Sequence, residues 1–274
     1  MRKIKLSDQA HRISAIILPD YGGNMARLQI GGRDVFYLND EYIKLSPILA
    51  GGCPVLFPFC GSTENDLYAI NGKAYAMPMH GLVKNASFAI SKVSESHVKL
   101  YATNSEAQKD ANYPFDFRLE LDYSICGNVV TLLATVHNES EISMPHTFGW
   151  HPYFTVTDKK MLSLQLSMRE YLDYNTHTIC ASDGQPDVSV PADHVYYNRV
   201  EGDIIILNPA DGYKATMQMD KAYEVTTVWS TPDAFVCVEP WIGMPNAINT
   251  GKYLRWVPPG TGETYVIKIQ LDEL

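Results

Sequence analysis

Three short segments of this 274-residue chain set an ionisable side chain among glycine, proline and aromatic residues. The first is Met77-Pro78-Met79-His80-Gly81, preceded by Gly51-Gly52-Cys53-Pro54-Val55-Leu56-Phe57-Pro58-Phe59. The second runs His146-Thr147-Phe148-Gly149-Trp150-His151-Pro152-Tyr153-Phe154, and the third is Val238-Glu239-Pro240-Trp241-Ile242-Gly243. Glu239 follows the apolar run Phe235–Val238, so it is expected at a strand end and partly buried. Burial disfavours the charged carboxylate and raises its proton affinity, which is the tuning a general base needs. Histidine supplies the complementary acid near neutral pH. Each residue alone also has a plainer role, as a carboxylate held by backbone N–H groups or a structural histidine. The combination of all three segments points to acid/base catalysis.

Other chemistries find less support. His146 and His151 are five apart, so on a strand they face opposite sides and do not share an ion. There is no His-x-His, HExxH or GxSxG pattern. Gly22-Gly23 and Gly31-Gly32 read as turns and not as phosphate loops, because no helical pattern follows them. The five cysteines, Cys53, Cys60, Cys126, Cys180 and Cys237, are odd in number and lack a CxxC pair. Buried free thiols are expected, with neither a disulfide framework nor a zinc ribbon. No metal and no cofactor are expected.

The elements that must position these residues read as β-strands. Gly (18) and Pro (16) recur along the whole chain, and short alternating apolar runs lie between them. They include Ile13–Leu18, Ala26–Ile30, Val98–Ala102, Phe117–Ile125, Val129–Val136, Tyr213–Met219, Val225–Trp229, Phe235–Val238 and Tyr265–Leu271. Asn71-Gly72 and Gly127-Asn128 are turn dipeptides that tolerate positive φ, and each predicts an antiparallel hairpin. Helix is predicted only in short pieces such as Ser105–Asn112, stopped before Pro114. No repeat or linker divides the chain, so residues 1–274 are expected to form one large all-β antiparallel sandwich.

Hydrophobic residues at 46% supply a large core, while 22 basic against 31 acidic residues give a net charge of −9. That charge, without a Lys/Arg cluster, argues against nucleic acid and anionic membrane as partners and suits a small neutral ligand. The apolar stretch Ile13–Leu18 is too short for a signal peptide, and prolines interrupt the apolar run 46–61. A cytoplasmic protein is expected. The terminal Leu271-Asp272-Glu273-Leu274 is read as a coincidental likeness to a retrieval tag.

At its three segments the sequence resembles the aldose 1-epimerase family, the galactose mutarotases and their relatives. The likeness rests on Gly-Gly-x-Pro-x-Leu-Phe-Pro at 51–58, His80-Gly81 followed by Lys84, His151-Pro152-Tyr153-Phe154, and Glu239-Pro240-Trp241. Weaker similarity runs from Pro19-Asp20-Tyr21-Gly22-Gly23 to Pro259-Gly260-Thr261-Gly262-Glu263, nearly the whole chain. The resemblance implies a galactose-mutarotase-type sandwich with its site in a groove across one sheet. It implies that Glu239 is the general base at the anomeric hydroxyl, that His151 is the acid at the ring oxygen, and that His80, Lys84 and Trp241 bind the sugar.

Two features depart from the family pattern. The arginine many members carry shortly after the glycine matching Gly61 is missing, the stretch reading Ser62-Thr63-Glu64-Asn65-Asp66. Lys84 stands where an arginine is common, and no residue is assigned to the family's substrate-binding aspartate. These differences point away from galactose and from phosphorylated sugars, toward another free aldose. The expected function is therefore anomer interconversion by an isomerase of the aldose 1-epimerase type, homodimeric assembly being left open. The competing expectation is a catalytically silent sugar-binding or sugar-sensing protein that keeps the groove. Trp150, Tyr153, Trp241 and Trp256 have flat apolar faces that can meet a sugar ring, although core packing is the expected fate of any one of them.

Overall fold

In the computed structural model, residues 1–39, 51–107 and 112–274 are described. Strands are their main regular structure, and every named strand pair is antiparallel. Two eight-stranded sheets dominate. The first runs in the order Ser163–Gln165, Ile204–Asn208, Tyr213–Met219, Gly262–Glu273, Val129–Asn138, Phe117–Cys126, His97–Thr103 and Ala89–Val93. The second runs Thr178–Ala181, Met168–Asp173, Ala192–Arg199, Val225–Ser230, Phe235–Trp241, Gly149–Trp150 and Val55–Leu56, with Tyr153–Thr155 also paired to Phe235–Trp241. A four-stranded sheet from Ile4–Asp8 to Arg33–Asp34 and two small ribbons complete the fold.

Alternation decides which face each strand buries. Phe117, Leu119, Leu121, Tyr123 and Ile125 point inward, opposite Val130, Leu132, Ala134 and Val136. Each fully buried side chain of this kind contributes about 1.5–3 kcal/mol of transfer free energy. The second sheet answers with Trp150, Phe154, Tyr196, Val228, Val236 and Val238, and these join the first sheet's residues in one continuous core cluster. Trp150, the largest fully buried side chain, donates its indole N–H to the Tyr223 hydroxyl at 2.9 Å. Its place is the core, the fate expected of any single one of these aromatics.

Both turn dipeptides sit where their chemistry demands. Asn71-Gly72 joins Leu67–Ile70 to Lys73–Ala76, and Gly127-Asn128 joins Phe117–Cys126 to Val129–Asn138. Of the helix expected at Ser105–Asn112, residues 105–107 and 112 are in turns and residues 108–111 lie outside the described residues. The cysteine expectation is partly corrected: all five are free, but only Cys53, Cys60 and Cys237 are buried, Cys126 being exposed and Cys180 half-buried. Among the described residues no helix is long and apolar enough to cross a membrane.

Candidate active site

The candidate site grows from the face of the second sheet that turns away from the main core. In strand Phe235–Trp241 the even residues Val236 and Val238 enter the core, leaving Cys237, Glu239 and Trp241 on the other face. The neighbouring strands keep the same parity. Tyr153, Cys237, Trp229 and Asp193 are in register across four strands, and Glu239, Thr227 and Val195 form the next row. Trp241 and Val225 make the third row. Sheet register thus gathers residues as far apart in sequence as 153 and 239 onto one surface.

Glu239 lies inside this strand, which continues through Pro240 to Trp241, so the expected strand-end position is corrected. An inner-strand proline is tolerated because its missing N–H faces a gap in the ladder. Val238 N–H donates to the Pro152 carbonyl and Ile242 N–H to the Phe148 carbonyl. Between them, at 151–152, the neighbouring chain leaves the ladder, and His151 N–H turns to the Pro54 carbonyl at 2.9 Å. That departure swings the His151 ring over Glu239.

Two close approaches fix the flanks. Gly149 lies so near strand Phe235–Trp241 that a Cβ there would sit 2.5 Å from the Trp241 ring and 2.8 Å from the Cys60 sulfur. Gly81, at φ +78°, packs onto the Phe57 carbonyl, where any side chain would collide. His80 itself adopts φ +66°, a conformation that costs a non-glycine residue on the order of 1–3 kcal/mol unless its surroundings impose it. They do, since His80 N–H donates to the Gly61 carbonyl at 2.8 Å and Leu82 N–H to the Phe57 carbonyl at 2.8 Å. Gly61 N–H in turn donates to His80 Nδ1 at 3.3 Å, which leaves the His80 proton on Nε2 as an outward donor.

These elements enclose a cavity of about 360 Å³, toward the lower end of the roughly 300–1,000 Å³ usual for small-molecule sites. His80, Lys84, His151, Glu239 and Trp241 all line it. His151 Nε2 lies 3.4 Å from Glu239 Oε2, and Glu239 is 2% exposed. The His151 ring stacks on Tyr153 at 4.7 Å and meets His80 edge-on at 5.2 Å, and His80 meets Trp241 edge-on at 5.9 Å. Lys84 Nζ donates to the Met79 carbonyl at 2.6 Å.

Burial sets the electrostatics. It pushes the Glu239 carboxyl well above the usual carboxylate range, with the Asp193 charge adding to the effect. Burial holds His151 well below an ordinary histidine, helped by His80 and Lys84. His80 is lowered to about 4, again by burial and then by Lys84. Four buried polar atoms of the lining have no hydrogen-bond partner: Glu239 Oε2, His151 Nδ1, Thr227 Oγ1 and Trp241 Nε1. Unpaired groups of this kind cost about 1–3 kcal/mol each and ordinarily find partners. Four converging on one cavity make a surface that a hydroxyl-rich ligand can satisfy.

The structure also adds residues that the sequence reading passed over. Asp193 and Trp229 line the cavity, and Asp193 is raised from the usual carboxylate range by burial. Strand Ala192–Arg199 escaped notice because its apolar residues, Val195-Tyr196-Tyr197, are consecutive and give no alternation. A β-branched and aromatic run bounded by polar residues was the available signal. Trp256, by contrast, is 52% exposed, pairs with Pro145 in a ribbon and is not among the residues lining the cavity, so for it the expected core packing is corrected. His146 is fully buried against Phe57 and Tyr265 on the core side, away from His151, as the odd spacing required.

A family model for aldose 1-epimerases matches residues 2–259. The LacX protein of Lactococcus lactis subsp. lactis is 25% identical over 243 residues, covering 77% of this chain and 80% of that protein. Among solved structures, the Slr1438 protein of Synechocystis sp. PCC 6803 superposes with a TM-score of 0.94 at 24% identity, over 100% of this chain and 96% of that one. A galactose mutarotase related enzyme of Lactobacillus acidophilus gives 0.85 at 20% identity, over 99% and 98%. At these identities the structural likenesses establish the fold.

Proposed function

The chain belongs to the aldose 1-epimerase family, a family of sugar-epimerising isomerases, and from that premise we propose that it interconverts the α and β anomers of a free aldose, with Glu239 and His151 as the proton-transfer pair. The observation that carries this reading is the buried Glu239–His151 contact at 3.4 Å in the wall of a cavity of small-molecule size.

Ring opening requires one proton to leave the anomeric hydroxyl and another to reach the ring oxygen. Starting from carboxylate and imidazolium, Glu239 takes the first and His151 delivers the second, leaving both side chains neutral. Reclosure of the aldehyde after rotation about C1–C2 runs the same transfers backward, onto the other face. The pair therefore holds one proton throughout and exchanges its charged and neutral forms once per ring opening. Burial favours the neutral form of the pair, while attraction at 3.4 Å favours the charged one. His80, with its Nε2 proton directed outward, donates to developing charge on oxygen. Trp241 offers an apolar edge, and Lys84 and Asp193 bind peripheral hydroxyls.

A neutral sugar fits this lining better than a phosphorylated one. Among the described lining residues Lys84 is the only Lys or Arg, against the two carboxylates of Asp193 and Glu239. The same reading takes residues 1–274 as one domain acting in the cytoplasm on a small sugar, without nucleic-acid or membrane partners. Polarimetry of freshly dissolved α-glucose, α-galactose and further aldoses tests it: the protein is expected to speed equilibration of at least one. Saturable sugar binding with no acceleration of any aldose would replace catalysis with a sugar-binding role.

A further inference from the structure

Beneath the acid/base pair lies a residue that the proposed reaction does not use. Cys237 is wholly buried, sits two positions before Glu239 on the same face of the strand, and is absent from the residues that line the cavity. One ligand atom each of His151, Cys237 and Glu239 lies within 4.8 Å of the others. We propose that these three side chains form a binding site for a borderline-soft divalent cation of the Zn²⁺ class, reached through the sugar cavity, and that its occupancy silences the enzyme.

The donor set supports that class of ion. One nitrogen, one sulfur and one carboxylate oxygen suit Zn²⁺ or Cd²⁺, whereas Mg²⁺ and Ca²⁺ prefer oxygen alone. Zinc–ligand bonds of about 2.0–2.3 Å bring donor atoms within roughly 4 Å of each other, so sub-ångström side-chain shifts close the site. Two of the three donors come from one central strand, Cys237 being paired on both sides and Glu239 on one. Glu239 Oε2 is buried without a hydrogen-bond partner, so this donor retains coordinating capacity, and His151 turns its Nε2 toward it at 3.4 Å. The neighbouring Asp193 carboxylate adds attraction and Lys84 opposes it. Three protein ligands leave a fourth position facing the cavity, open to water or a sugar hydroxyl.

Binding expels the thiol proton of Cys237 and any proton on Glu239 to solvent, with no change of oxidation state. Metal binding stands independently of the mutarotase reading, and only its effect on turnover rests on that reading. Histidine spacing could not reveal the site, because the second histidine is replaced by a cysteine 86 positions away in sequence.

The test uses the full chain, stripped of metal and titrated with Co²⁺ as a spectroscopic probe and with Zn²⁺ by calorimetry. One equivalent of Co²⁺ is expected to give a near-ultraviolet thiolate charge-transfer band. Cys237→Ser and Cys237→Ala should both abolish it, while a Cys126→Ser/Cys180→Ser variant, lacking the two less buried thiols, keeps it. Zn²⁺ should inhibit mutarotation competitively with sugar, and Cys237→Ser should raise the inhibitory concentration by at least about tenfold while leaving metal-free turnover unchanged. No band, a band that survives both Cys237 variants, or one lost with the less buried thiols overturns the proposal. Cobalt binding as described in a protein that mutarotates no aldose would leave the metal site standing and remove the enzymatic reading instead.

Discussion

Every residue of strand Phe235–Trp241 is buried, yet its two faces have different surroundings. Val236 and Val238 lock into the main core beside Phe154 and Trp150, with apolar neighbours on every side. Glu239 and Trp241, equally hidden from bulk water, face a cavity and end in polar atoms that no protein group satisfies. Burial alone does not separate structure from function here. The distinction lies in whether the polar atoms are paired: one face is finished by folding, and the other is left for a ligand to complete.

The comparison can be broken most directly at Glu239. Glu239→Gln keeps the shape and removes the proton acceptor, so mutarotation is expected to fall by about 10²–10⁴-fold. Stability should hold or rise, because the variant no longer buries an ionisable carboxyl. Polarimetry alongside thermal unfolding followed by circular dichroism reads both. Wild-type turnover, or a thermal midpoint depressed as in a core mutant, would show that Glu239 belongs to the structural face after all.

The opposite signature is expected one residue beyond the cavity wall. Phe154 adjoins Tyr153 in sequence but points into the core, edge-on to Phe36 at 5.4 Å. Phe154→Ala should cost about 3–5 kcal/mol of stability through lost contacts and a residual cavity. Turnover by the folded fraction, measured well below the midpoint, should stay within a few-fold of wild type. A large loss of turnover without loss of stability would erase the division between faces.

Asp193 sharpens the comparison further, since it lines the cavity but exchanges no proton in the proposed reaction. Asp193→Asn keeps the shape but removes the charge. Hydrogen bonds to charged groups are worth about 1.5–3 kcal/mol, so kcat/KM should fall roughly tenfold to a hundredfold, mainly through KM. A fall confined to kcat would instead place Asp193 in the chemistry.

Much of this architecture was written in local sequence. Turn dipeptides and period-two alternation marked the hairpins from Phe117 to Asn138 and the strand Tyr213–Met219, because a half-buried antiparallel strand must alternate. The Gly/Pro-flanked His80, His151 and Glu239 were legible because backbone exceptions cluster where chains approach closely. Asp193 and Cys237 were not. Their place in the cavity wall and beneath the pair depends on the register of four strands distant in sequence, and no local pattern encodes that register. Trp150 shows the complementary rule: an aromatic beside a candidate residue in sequence points, on a strand, to the opposite face, here into the core.

The smallest effect concerns the two histidines five residues apart. His146 lies on the core side, its Nε2 2.9 Å from the Tyr265 hydroxyl, which donates to Glu263. Burial lowers His146 to about 3, with the Arg255 charge adding to the effect. In the unfolded chain its value returns to about 6.5. The unfolded state therefore binds the extra proton first, so this contribution is fully present above about pH 6.5 and is lost as pH falls toward 3. Within that window the slope approaches about 1.4 kcal/mol per pH unit for one proton. His146→Gln, which retains a side-chain donor but cannot titrate, should lose stability less steeply than wild type on acidification from pH 6 to pH 4.5. Denaturant midpoints across that range measure the difference. Parallel slopes would mean that His146 accepts its proton in the folded state, and the core side of the molecule would then be as open to protonation as the cavity side.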